Sequence, residues 1–120
     1  MCMKKEKQFE EKVKAFLKDQ HCWVLKTWSN GIQREGVPDL LVCCDGYFVG
    51  IELKCETGSP TKLQLWNIDK IREAGGIAIV LYPDMFDQFQ HMIKLLRSGN
   101  IYAPKIQFKF DRKEGTDESL

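Results

Sequence analysis

The sequence predicts a mixed α/β domain in which a mixed sheet is flanked by helices. Three observations predict it. Residues 5–20 repeat apolar side chains at Phe9, Val13, Phe16 and Leu17, the spacing of one helix face. Apolar runs of strand length lie at 40–44 and 77–82, and the second (IAIVLY) is apolar on both faces, as a buried central strand requires. Helix and strand signals alternate in the order α-β-β-β-α-β-α.

Each element has its own local cause. After the first helix, 23–28 (WVLKTW) is rich in β-formers and reads as a strand. Residues 29–38 (SNGIQREGVP) hold two glycines and a proline and read as a loop. The strand 40–44 ends in Asp45-Gly46, a hairpin signal, and 47–54 (YFVGIELK) is its partner. Ser59-Pro60 reads as the N-cap and first position of a second helix, which runs to Ala74 and stops at Gly75-Gly76. Asp84 can cap a last helix with Met85, Phe89, Met92 and Leu96 inward and Gly99 past its end. Residues 101–110 read as an added edge strand. Residues 111–120 contain no apolar side chain before Leu120 and read as a disordered tail, so the expected domain is 1–110.

The chain has 120 residues, 43% of them hydrophobic and 29% charged, which suits one globular domain with its own core. It has no apolar run long enough to span a bilayer and no apolar stretch behind its basic start, so the expectation is no membrane and a cytoplasmic location. The formal charge is +1; the tail 111–120 carries −2 and residues 1–110 carry +3. This bias is weak, so any nucleic-acid recognition must come from a local groove. The five cysteines, at 2, 22, 43, 44 and 55, form no CxxC pair and read as reduced, mostly buried thiols. His21 and His91 are isolated and read as surface or partly buried residues rather than ligands or bases.

The informative stretch is Gly36-Val37-Pro38-Asp39 followed by Gly50-Ile51-Glu52-Leu53-Lys54. Strand periodicity puts Glu52 and Lys54 on one face, and Ile51 and Leu53 on the other. Asp39 lies six residues before Asp45 and Glu52 six after Gly46, so the hairpin sets the two carboxylates side by side. Paired carboxylates repel, which raises a pKa or recruits a cation. An oxygen-rich site of this kind suits Mg²⁺ or Mn²⁺. An ion there can clamp a phosphate oxygen and acidify a bound water, with Lys54 orienting that water or stabilising developing charge.

Pro38-Asp39, twelve intervening residues and Glu52-Leu53-Lys54 resemble the signature of the PD-(D/E)xK nucleases. Glu10-x-x-Val13-x-x-x-Leu17 resembles that superfamily's first-helix glutamate motif. Gly36–Leu40, Gln64 and Ala74-Gly75-Gly76 are similar to the virus-type replication-repair (VRR-NUC) branch. That branch has small stand-alone phage members similar to archaeal Holliday junction resolvases. The likeness covers residues 8–82; residues 83–120 carry no motif of it.

The resemblance implies a restriction-endonuclease-like αβββαβ core and metal-dependent cleavage of branched DNA, with a four-way junction as substrate. It implies Asp39, Glu52 and the Leu53 carbonyl as ligands of Mg²⁺ or Mn²⁺. Glu10 would act directly or through water, Lys54 would assist the attacking water, and Gln64 would sit beside the site. Glu11, about 100° around the helix, is the competing choice for Glu10. Arg34, Lys62 and Lys26 are candidate phosphate contacts. Symmetric cutting of a junction implies a homodimer, with the apolar faces of the last helix and of 101–110 as candidate interface. Two other readings stand beside this one: a nuclease for flaps or nicked duplex, and a non-catalytic DNA-binding module on the same fold.

Overall fold

A computed structural model of the chain describes residues 2–28 and 35–112. The elements are α1 (Cys2–Asp19), β1 (Trp23–Lys26), β2 (Leu40–Cys44), β3 (Tyr47–Leu53), α2 (Lys62–Glu73), β4 (Ile77–Leu81) and α3 (Phe86–Arg97), followed by a 3₁₀ segment, Ala103–Phe110. The four strands form one mixed sheet in the order β1-β2-β3-β4. The first two pairings are antiparallel and β3 pairs with β4 in parallel. Asp45 and Gly46 both have positive φ, as the tight turn between β2 and β3 requires.

One sheet face buries Leu40, Val42, Val49, Ile51, Leu53, Ile79 and Leu81 against α1 and α3. From α1 come Phe9, Val13 and Leu17, spaced as the periodicity demands; from α3 come Phe89, Met92, Ile93 and Leu96. Phe89 is fully buried, edge-on to Phe16 and stacked on Phe86. Phe89→Ala leaves a ring-sized cavity there and is expected to cost about 3–5 kcal/mol, read as a lower urea midpoint at unchanged slope. Among the described residues, the other face is covered at β3 and β4 by α2. Beyond α2, Trp23, Cys43 and Phe48 form one exposed cross-strand row, with Leu25 beside it.

The structure corrects several expectations. Residues 101–110 form no edge strand. Pro104 breaks the strand pattern, and the Gln107 side chain covers the β4 edge instead. Its Oε1 accepts from Ala78 N at 2.9 Å and from Arg72 Nε at 3.1 Å, while Arg72 Nε also donates to Ala78 O. The apolar face of α3 is core and is therefore unavailable as an interface. The cap of α2 is Thr61, not Ser59, in a reciprocal capping box with Gln64. Asp84 does not cap α3 but lies in a 3₁₀ turn, Pro83–Met85, that precedes it.

Cys2 and Cys55 are joined by a disulfide, against the expectation of five reduced thiols. Cys22, Cys43 and Cys44 are free. Burial and the neighbouring Cys22 sulfur push the Cys44 thiol up to about 12. Asp111 and Arg112, the first residues of the expected tail, are held by Arg72 and Asp84; residues 113–120 lie outside the described residues. No helix among the described residues is long and apolar enough to cross a membrane.

Candidate active site

The open end of the β2–β3 hairpin gathers the charged side chains. Leu40 pairs with Ile51, so the next step outward sets Asp39 beside Glu52. Asp39 Oδ2 accepts from Leu53 N at 2.8 Å, which locks the carboxylate across the hairpin. Its approach is set by the preceding segment. Gly36 has φ +79°, and an added Cβ would stand 2.6 Å from Leu63 Cγ of α2, so only glycine fits. Asn67 of α2 donates to Glu35 O and Leu63 O, tying this segment to the helix. Pro38 then packs on Gly50, where a Cβ would meet the Pro38 ring at 3.2 Å. The Thr27 hydroxyl donates to Pro38 O and Thr27 N to Asp39 O, completing the mount.

Glu52 and Lys54 emerge on one side of β3, with Lys54 Nζ 3.6 Å from Glu52 Oε2. Glu52 is only 2% exposed, and among the described residues its Oε1 finds no hydrogen-bond partner. Burial, reinforced by the Asp39 charge and only partly offset by Lys54, pushes the Glu52 carboxyl up to about 8. A buried carboxylate oxygen with nothing to bond is costly. It calls for a proton or a cation.

No family model, curated protein sequence or solved structure matches the chain. The chemistry of the site therefore rests on its own geometry.

Helix α1 supplies two further carboxylates. Glu10 is buried, whereas Glu11 is exposed, so Glu10 is the one that faces the sheet. Both of its oxygens are engaged: Oε1 with Lys26 Nζ at 2.9 Å and Oε2 with Lys14 Nζ at 3.3 Å. Burial works to raise its pKa, but the bonds and charges of Lys26, Lys14 and Lys7 outweigh it and hold the carboxyl below its usual range. Lys26 in turn stands 4.0 Å from Asp39 Oδ1. It is a counter-ion inside the cluster, with 24% of its side chain exposed.

Glu6, one turn earlier on the same helix face, completes the group. Burial raises its pKa, with the Asp39 charge adding to the effect; Lys54, the Cys55 backbone N–H and Lys26 oppose it. Sequence reasoning missed this residue. The usable signal was the i,i+4 spacing to Glu10, which puts both on one face. Glu6 also lies with the Cys2 and Cys55 sulfurs in a group whose candidate donor atoms are all within 4.8 Å of one another.

Glu10 is thus neutralised by its own lysines, while Asp39, Glu52 and Glu6 face Lys54 and a shared Lys26. This excess of negative charge, with one orphaned buried oxygen, fits a divalent cation held by Asp39 and Glu52. Leu53 has its N–H on Asp39, so its backbone borders the same place. Gln64 is partly committed elsewhere: its Oε1 accepts from Thr61 N at 2.8 Å, leaving the amide NH₂ as the group it can offer. Lys62 opens α2 and is exposed. Arg34 lies outside the described residues.

Proposed function

We propose that this chain is a metal-dependent, structure-specific DNA endonuclease of the PD-(D/E)xK kind, acting on branched DNA, with a four-way junction as its substrate. The observation that carries the reading is the Asp39–Glu52–Lys54 cluster, with its buried, unpartnered Glu52 oxygen. Supporting it are the αβββαβ order, which is the one the resemblance implies, and the glycine-proline mount that delivers Asp39.

In this reading Asp39 and Glu52, with the Leu53 carbonyl, hold Mg²⁺ or Mn²⁺. The bound ion supplies charge to a phosphate oxygen and acidity to a water. Asp39 stays fixed through Leu53 N, so the ligand set is preorganised. Glu52, whose buried carboxyl holds a proton up to about pH 8, would have to give up that proton to serve as a ligand. Lys54, 3.6 Å from Glu52 Oε2, would orient the attacking water and offset charge on the phosphate. Lys26 holds the unused side of Asp39, and Glu10 holds Lys26. Lys62, exposed at the start of α2, is a phosphate contact in this reading, and the resemblance adds Arg34, which lies outside the described residues.

The decisive experiment compares an immobile four-way junction with matched linear duplex, flap and nicked DNA, with and without Mg²⁺, on a denaturing gel. Paired, metal-dependent nicks near the branch point are expected. Preferential cutting of flaps or nicks would transfer the chain to the alternative substrate class. Binding without cleavage at any metal concentration would make it a non-catalytic module. Light scattering at micromolar concentration is expected to give a homodimer; the exposed row of Trp23, Cys43 and Phe48 and the exposed Ile101, Tyr102 and Phe108 are apolar surfaces on offer for it. A monomer would count against junction resolution.

A further inference from the structure

The disulfide stands at the candidate site. Cys55 directly follows Lys54, and Cys2 lies one helical turn before Glu6. The bond therefore joins the helix that carries Glu6 to the strand end that carries Lys54. Besides this bond, the Glu6 carboxylate accepts from the Cys55 backbone N–H; of residues 2–8 only Glu6 is even half-buried, and the first core side chain of the helix is Phe9. The receiving side is well built. Cys55 is 3% exposed, its carbonyl accepts from Gly58 N at 3.0 Å, and the turn so formed packs against the Lys54 stem at Gly58. Thr57 Oγ1 lies 3.5 Å from the Cys55 sulfur and 3.9 Å from the Cys2 sulfur.

We propose that Cys2 and Cys55 form a thiol–disulfide switch. Closed, it keeps Glu6 within electrostatic reach of Lys54 and Asp39 and completes the cation site; open, it frees the first two turns of α1. Completion of the cation site rests on the proposed nuclease reading; the clamp itself does not.

The chemistry is exchange with a small-molecule disulfide of the glutathione class. Cys2, the exposed partner, attacks as thiolate, forms a mixed disulfide and expels one glutathione thiolate. The buried Cys55 thiolate then attacks the Cys2 sulfur, breaks the Cys2–glutathione bond and expels the second. Both protein thiols are oxidised, one glutathione disulfide is reduced to two thiols, and the two protein protons pass to solvent or to the leaving thiolates.

The test uses the full chain carrying Cys43→Ser, which removes the exposed competing thiol. Poised with glutathione disulfide, denatured and alkylated, it should show two free thiols, Cys22 and Cys44; after reduction it should show four. Four free thiols under oxidising conditions, or glutathione retained on Cys2, overturns the switch. Hydrogen exchange then reads the clamp without any assumption about function. Reduction, or Cys2→Ser under oxidising conditions, should speed exchange at residues 5–8 by about tenfold or more while β3 stays unchanged. Equal exchange in both redox states overturns the clamp.

Mn²⁺ titration reads the site. Affinity should fall about tenfold on reduction, and Glu6→Gln should lower the affinity of the oxidised protein and abolish that redox dependence. Exchange that responds to reduction while neither form binds Mn²⁺ overturns the cation-site reading and leaves the clamp standing. Stoichiometric Zn²⁺ held by the reduced pair, with Cys2 and Cys55 protected from alkylation, replaces the switch with a zinc site and overturns it.

Discussion

Asp39→Asn and Lys54→Ala are expected to lower junction cleavage by on the order of 10³-fold or more while leaving junction binding within a few-fold of the native protein. The two substitutions act at different points. Asparagine keeps the shape of Asp39 and an acceptor for Leu53 N, whose bond at 2.8 Å fixes the hairpin end. It removes one negative charge from a cluster whose excess charge is what attracts the cation. Lys54→Ala leaves both carboxylates in place and removes the ammonium 3.6 Å from Glu52. Its metal affinity should therefore hold or rise, while Asp39→Asn should lose metal affinity. Phosphate contacts outside the cluster keep the DNA bound in both variants. Gel-shift affinity, single-turnover cleavage and Mn²⁺ calorimetry on the same preparations separate these effects. A Lys54→Ala protein that cuts at the native rate removes that residue from the mechanism.

The second large effect concerns Glu52 without metal. Its carboxyl is pushed up from 4.5 to about 8, first by burial and then by Asp39, with Lys54 opposing. The folded protein thus keeps a proton that the unfolded chain releases. The associated stability is present below about pH 4.5 and is lost as pH rises through about 8. Thermal melts of the metal-free protein should fall across that window by on the order of 10 °C from this group alone. Glu52→Gln, neutral at every pH, should lack this component and be the more stable protein at pH 8.5. Saturating Mn²⁺ should reverse the order there, since the ion stabilises only a protein that binds it. Melting curves of the two proteins that move in parallel with pH would show that Glu52 does not carry the buried proton.

Both predictions depend on features that local sequence rules set out plainly. The Asp45-Gly46 turn and period-two alternation placed Asp39 opposite Glu52, because an antiparallel hairpin with a known turn has one register. The same alternation separated Glu52 and Lys54 from Ile51 and Leu53, and those two are core in the structure. Phe9, Val13 and Leu17 identified the inner face of α1, while Glu10 was preferred to Glu11 because its spacing to Val13 and Leu17 fits the resembled motif. These are short-range consequences of backbone geometry, so a single sequence expresses them.

Other features needed the packed molecule. A strand signal at 101–110 gave way to a 3₁₀ segment because Gln107 and Arg72 satisfy the β4 edge with side chains, a pairing 35 residues apart. The fate of the α3 apolar face depended on whether the sheet would take it, and it did. Glu6 looks like one more charge in a basic, solvated helix start; only the approach of α1 to the end of β3 brings it to Lys54 and Asp39. Lys26 reads as a surface cation until Glu10, sixteen residues away, claims it. The Cys2–Cys55 bond joins residues 53 apart and no spacing rule predicts it. What the sequence by itself determined was periodic and local: the core-facing sides of its elements, the hairpin register and the pairing of Asp39 with Glu52. The tertiary structure decided which charges neutralise one another and which cysteines meet, because those depend on distances between elements that backbone periodicity does not encode.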